Sequence, residues 1–118
     1  MNQHKNGNAY LQHIIDSIKQ IEIYTKDIKT EEEFFRNKLV QDAVIRHLEI
    51  IGEAAGKISD SIKKDQKNIK WKEIMGMRNK LIHEYFGVNI KYIWFTIKND
   101  LPKLKSQINS LLENKSAK

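Results

Sequence analysis

Arg78 and His83 stand five residues apart in the run Met75-Gly-Met-Arg-Asn-Lys-Leu-Ile-His-Glu-Tyr-Phe-Gly87. Between Arg78 and Tyr85 this run gathers a permanent cation, an amide, a titratable imidazole and a phenol. A guanidinium remains charged at every working pH and neutralises phosphate, while an imidazole exchanges a proton near neutrality. Together they form the minimum set for metal-free attack on a phosphodiester. His4, His13, His47 and His83 include no His-x-x-x-His or His-Glu-x-x-His spacing, and cysteine is absent, so neither a metal centre nor a thiol nucleophile is expected.

The elements that must carry these residues are helices. One proline and five glycines in 118 residues leave little punctuation, and no strand alternation or internal repeat is visible. Residues 9–29 place Tyr10, Leu11, Ile14, Ile15, Ile18, Ile21 and Tyr24 on one face. Thr30-Glu-Glu-Glu33 reads as a capping box, Thr30 as N-cap and Glu33 at the third helical position. A second helix is expected over 31–58, with apolar residues on more than one stripe. Its second side faces either another helix of the same bundle or another subunit. Residues 59–70 read as a lysine-rich surface connection or short helix. A third helix is expected from Trp71 to Tyr85, stopped by Gly87. Asn89 caps a fourth, which Pro102 must kink or break, with Asp100 placed to cap a restart. The fold class is all-α, an antiparallel bundle of four to five helices over residues 9–113, with a disordered leader at 1–8 and a frayed tail at 114–118.

The helical register makes Arg78 unusual. At about 100° per residue, Trp71, Ile74, Met75, Leu81 and Ile82 all fall within roughly 60° of it, and Tyr85 within about 20°. Asn79 and His83 are i,i+4 neighbours on the flank. A guanidinium in an apolar stripe is costly unless it is paired. It can pair with a carboxylate of a neighbouring helix, Glu53 or Glu49, reach the rim, or face a cleft where phosphate binds. Spacing alone leaves an enzyme and a binding module unresolved.

Charge is distributed unevenly. Residues 1–56 carry 7 Lys/Arg against 9 Asp/Glu, residues 57–80 carry 8 against 3, and residues 81–118 carry 6 against 3, within a formal net charge of +6. The excess therefore lies on and just before the Arg–His run, where a polyanion would be drawn. No apolar run is long enough to span a bilayer, and the polar start has no signal-peptide core, so a cytoplasmic location is expected.

The string Gly76-Met-Arg-Asn-Lys-Leu-Ile-His-Glu-Tyr-Phe-Gly-Val88 resembles the HepT-like branch of the HEPN superfamily. That family is marked by Arg, a polar residue (usually Asn), three further positions, His, any residue, Tyr. Arg46-His-Leu-Glu-Ile-Ile-Gly-Glu-Ala-Ala55 resembles its second-helix signature, and the likeness covers roughly residues 9–112. It implies a HEPN-like homodimer with two Arg–His motifs meeting in a cleft. The implied activity is metal-independent endoribonuclease cleavage of transfer or messenger RNA, as the toxin of a type VII-like toxin–antitoxin pair, with no cofactor. In that frame Arg78 and His83 are catalytic, Asn79, Lys80 and Lys72 support RNA binding, and Arg46 and Glu53 are secondary candidates. Tyr85 is the target of AMP transfer from a minimal, MntA-like nucleotidyltransferase antitoxin. The alternative is a noncatalytic helical module that binds and positions that nucleotidyltransferase.

Overall fold

The 31–58 stretch, expected as one helix, is divided at Arg36–Asn37. In the computed structural model, which describes residues 2–83 and 89–116 and the side chains of 8–77 and 89–113, every regular element is helical. The elements are α1 (Asn2–Tyr24), α2 (Glu31–Phe35), α3 (Lys38–Gly56), α4 (Asp60–Asp65), α5 (Trp71–His83), α6 (Ile90–Phe95) and α7 (Leu101–Ser116), with a π turn at Thr96–Asp100 between the last two. No strand occurs among the described residues. The expected leader enters as helical backbone from Asn2, ahead of the apolar face.

The division between α2 and α3 involves neither glycine nor proline. Asn37 caps α3, its Oδ1 accepting the Val40 N–H at 3.0 Å. Gln41, only 7% exposed, turns its carboxamide back, and Nε2 donates to the Phe34 carbonyl at 2.9 Å and the Phe35 carbonyl at 2.7 Å. One side chain thus satisfies last-turn acceptors that a helix end leaves open. The start of α2 follows the expected box. Thr30 Oγ1 accepts the Glu33 N–H at 3.1 Å, and the Glu33 carboxylate accepts the Lys29 N–H at 3.0 Å, one residue before the cap.

α1 folds because of its face. Leu11, Ile14, Ile15, Ile18 and Ile21 are all at most 1% exposed. Burying each such side chain contributes about 1.5–3 kcal/mol, well above the helix-propensity cost of a β-branched residue, at most about 0.7 kcal/mol. α1 and α3 run antiparallel: Ser17 meets His47, and the Lys57 ammonium lies 5.9 Å from the Tyr10 ring. α3 packs on α1, on α5 and on α2, so the same chain covers its two apolar faces. α7 closes over α1, where Lys105 Nζ lies 2.9 Å from Glu22 Oε1.

Pro102 neither breaks the last helix nor makes Asp100 a restart cap. α6, the π turn and α7 form one rod, with the Leu101 N–H bonded to the Thr96 carbonyl. Proline lacks an N–H, and its ring collides with the carbonyl four residues earlier in a regular helix. Widening the turn ahead of Pro102 removes that collision. Asn99 Nδ2 and Thr96 Oγ1 then bond the Phe95 and Tyr92 carbonyls at 3.1 and 2.9 Å. The apolar face continues through Ile93, Ile97, Leu101, Leu104, Ile108 and Leu111, all buried.

The α1–α3 seam contains one perturbed titratable group. His47 Nδ1 is 3.2 Å from the hydroxyl of buried Ser17, and the Tyr24 ring stands 5.6 Å away. Burial, and secondarily the Arg46 charge, push the imidazole below its ordinary pKa. A histidine with a lowered folded-state pKa stabilises the fold above its unfolded value, about 6.5, and loses that contribution as pH falls through it toward the folded value.

Two outcomes follow. Gln41→Leu, similar in size but without the donor, should lower the unfolding free energy by about 1–3 kcal/mol in a denaturant titration. Unchanged stability would mean that water satisfies the Phe35 carbonyl in its place. Acidification from pH 7.5 to 5.5 should lower the melting temperature of the wild type more than that of His47→Gln; parallel losses would assign the acid sensitivity to carboxylates alone.

Candidate active site

The helix that carries the Arg–His run is anchored at its start. Trp71, 7% exposed, donates its backbone N–H to the Ile69 carbonyl at 2.9 Å and its indole Nε1–H to the Gln66 carbonyl at 3.1 Å. The first full turn closes with the Ile74 N–H on the Lys70 carbonyl at 3.0 Å. Met77 is 5% exposed and Ile74 half-buried, and the helix packs on α3. With its first turn locked and one face held, α5 continues as regular helix through His83.

That continuity sets the backbone register of the expected site. Arg78, Asn79, Lys80 and His83 all belong to α5, with Asn79 and His83 one turn apart. Their side chains lie outside the described residues, as do all of Tyr85 and the expected stop at Gly87. Lys72 is on the same helix and exposed. Arg46 is exposed on α3 beside His47. Glu53, offered above as a partner for Arg78, lies 3.8 Å from Lys57 on its own helix, and both side chains are 55% exposed. Exposed pairs of this kind contribute about 0–1 kcal/mol, so this one does not hold Glu53 in place. Glu49 is half-buried on α3.

The basic segment now has a location. Lys57, Lys64, Lys67, Lys70 and Lys72 are exposed from the end of α3 through α4 to the first turn of α5. Ser59 caps α4, its hydroxyl accepting the Ile62 N–H at 3.4 Å, while Ile62 and Ile69 are buried beneath. The polar stretch is therefore pinned by two isoleucines, and its lysines extend into solvent before the motif. Among the described residues no three His, Asp or Glu side chains gather as a metal site, and no helix is long and apolar enough to cross a membrane.

A feature without a sequence signal lies beside α5. A groove of about 480 Å³ runs between the first half of α5 and the rod. Ile74, Met77, Leu101 and Leu104 supply apolar lining, and Lys70, Glu73, Asp100 and Lys103 charged lining. Gly76 borders it, and a Cβ built there meets nothing within 4 Å. Lys70 and Lys103 are far apart in sequence, and the π turn that shapes one wall is invisible to periodicity, so no spacing in the sequence groups these residues.

Comparison with known proteins agrees with the resemblance. The family model described as "Ribonuclease HepT-like" matches residues 14–111. A Methanocaldococcus jannaschii protein named "Gamma-glutamylcyclotransferase and putative RNase" is 48% identical over 109 residues; these are 92% of this chain but 49% of that protein, so the chain spans about half its length. A "Probable ribonuclease HepT" of Thermococcus cleftensis is 45% identical over 102 residues, 86% of this chain and 92% of that protein. A "Putative RNase" of Caldanaerobacter subterraneus is 39% identical over 109 residues, 92% and 96% of the two chains. No solved structure matches. A helix that is regular through Arg78–His83, in an all-helical bundle matched by this family model over most of its length, places the chain in the HepT-like ribonuclease family.

Proposed function

We propose that this chain is a metal-independent endoribonuclease that acts as the toxin of a toxin–antitoxin pair in the cytoplasm. The observation that carries the reading is the unbroken helix through Arg78, Asn79 and His83, which continues directly from the basic segment. That register supports a division of labour between a cation and a proton acceptor on one element. His83 takes the proton of a ribose 2′-hydroxyl. The oxygen attacks phosphorus, the O2′–P bond forms and the P–O5′ bond breaks. The imidazolium or solvent returns a proton to O5′, leaving a 2′,3′-cyclic phosphate and a 5′-hydroxyl. Arg78 holds the phosphate and stabilises the charge that grows on it. Asn79, one turn from His83, orients the imidazole or the phosphate. Lys72 and Lys80 attract the backbone without regard to sequence, in a salt-sensitive way. Two copies pair so that their motifs share a cleft.

Control falls on Tyr85. A minimal nucleotidyltransferase transfers AMP from ATP to the phenolic oxygen, releasing pyrophosphate. The added negative charge and bulk repel and occlude RNA. Arg46 and Glu53, both exposed on α3, are given no part in the chemistry.

Unmodified protein incubated with total RNA in EDTA should cut it, and His83→Ala should lose about 10²-fold or more of the rate while keeping its helicity and oligomeric state. Arg78→Ala should lose cleavage as well. No cleavage by an unmodified, dimeric wild type would favour the noncatalytic partner module. Incubation with the nucleotidyltransferase and ATP should add adenylyl mass to the wild type and none to Tyr85→Phe; equal addition to both would move the modification elsewhere.

A further inference from the structure

We propose that the groove between α5 and the α6–α7 rod is a base-binding subsite, which receives an unpaired nucleotide of the RNA strand beside the one that is cut. The inference rests on the ribonuclease reading of α5, but it adds a site and a preference which that reading does not contain. At about 480 Å³ the groove falls in the size range of ligand pockets, roughly 300–1,000 Å³, which are mostly apolar with a few polar groups. Its floor is firm: Met77, Leu101 and Leu104 are 4–6% exposed. A brace closes one side, where Gln107 Nε2 donates to the Asn68 carbonyl at 3.1 Å and ties α7 to the α4–α5 connection.

The charges select the occupant. Lys70 and Lys103 come from different elements and both are exposed, as suits contacts to the phosphates on either side of a base. Glu73 and Asp100 line the same groove. Carboxylates disfavour a bare anion but accept hydrogen bonds from an exocyclic amino group, as they do from cytosine N4. An apolar floor, two cations and two acceptors match an amino-bearing base in a strand better than a free phosphate. Proteins that read RNA sequence take single-stranded, unstacked bases in this way. The π turn forms part of the wall, and such turns recur at functional sites.

The groove is in line with the proposed chemistry. Gly76 lies on its border, and helical register places positions 80 and 83 one and two turns beyond Gly76 along that edge, about 10 Å along the axis for the latter, with Ile74 and Met77 turned about 120–180° from position 83 into the groove. A strand passing His83 can therefore lay a neighbouring base in the groove. Gly76 supports this by its openness. A Cβ there meets nothing within 4 Å, so a longer side chain can start from the groove's border without a clash at its root.

The test is direct binding of uncleavable RNA. Labelled 2′-O-methyl pentanucleotides of cytidine or uridine are titrated by fluorescence anisotropy into the wild type, Gly76→Met, Lys103→Ala and His83→Ala. The wild type and His83→Ala should bind the cytidine strand more tightly than the uridine strand. Gly76→Met should lose roughly tenfold or more of the cytidine affinity, the scale of one base contact, and lose the preference. It should keep its helicity and melting temperature, since methionine is the better helix former. Lys103→Ala should flatten the salt dependence by about one phosphate contact. Wild-type affinity and preference in a folded Gly76→Met would overturn the subsite, whatever the cleavage assay shows. Displacement of the cytidine strand by CMP with equal affinity would overturn the RNA assignment in favour of a free nucleotide. If the wild type fails to cut RNA but binds it in this groove-dependent manner, the subsite stands and the ribonuclease reading falls.

Discussion

Burial of α3 along two faces by helices of its own chain is the constraint on which the molecule depends. α1 covers one face and α5 packs on another, with α2 against its start. Val44, Leu48, Ile51 and Ala55 are completely buried, so a shift of α3 by one residue would expose them and place Ile50 or Glu49 inside. The motif helix takes its position from this arrangement. Trp71 and Met77 fix α5 against the core, and the backbone that carries Arg78 and His83 follows from them as the next turns of a helix whose first turn is locked.

Two departures from regular helix give the bundle its shape, and each is satisfied locally. At Arg36–Asn37 the chain turns from α2 into α3 because Asn37 offers a cap and Gln41 offers a donor to the carbonyls left behind. At Thr96–Asp100 the turn widens because Pro102 cannot join a regular hydrogen-bond ladder. The first departure lets α2 pack against α6, where Phe34 stacks at 5.4 Å on Trp94. The second keeps the rod continuous and shapes the groove beside α5. Local hydrogen-bond bookkeeping thus decides where the surface is concave.

Two kinds of charged surface meet along the motif helix. The lysines of α4 and early α5 extend into solvent and act over a Debye length, about 8–10 Å at ordinary ionic strength, attracting any polyanion. The groove beside α5 shares Lys70 with that segment and holds both signs of charge over an apolar floor. Diffuse positive charge and a mixed-sign concavity thus lie along one helix. Phe35, Leu39 and Phe95, which are 66%, 80% and 57% exposed, lie on α2, early α3 and α6, away from that groove's lining.

Much of this was legible in the residues themselves. The all-α class, the isoleucine face of α1, the Thr30–Glu33 box and the Asn89 cap follow from spacing and side-chain chemistry within a few residues, and local interactions need no knowledge of the fold. So does the Arg–Asn–x₃–His pattern, because i,i+4 neighbours are set by helix geometry alone. Other features required the tertiary structure. The end of α2 depends on a carboxamide six residues downstream that must be buried to turn back. Which helices cover the two faces of α3 is a matter of packing, to which a hydrophobic pattern is indifferent. The groove joins Lys70 to Lys103 through a π turn, and no local signal announces a contact between elements so far apart in the chain. Sequence determined the helical class, the faces and the local caps, and which residue types stand in the Arg–His run; tertiary packing decided where α2 ends, which surfaces the helices share and where they leave a cavity, because those depend on contacts between distant elements.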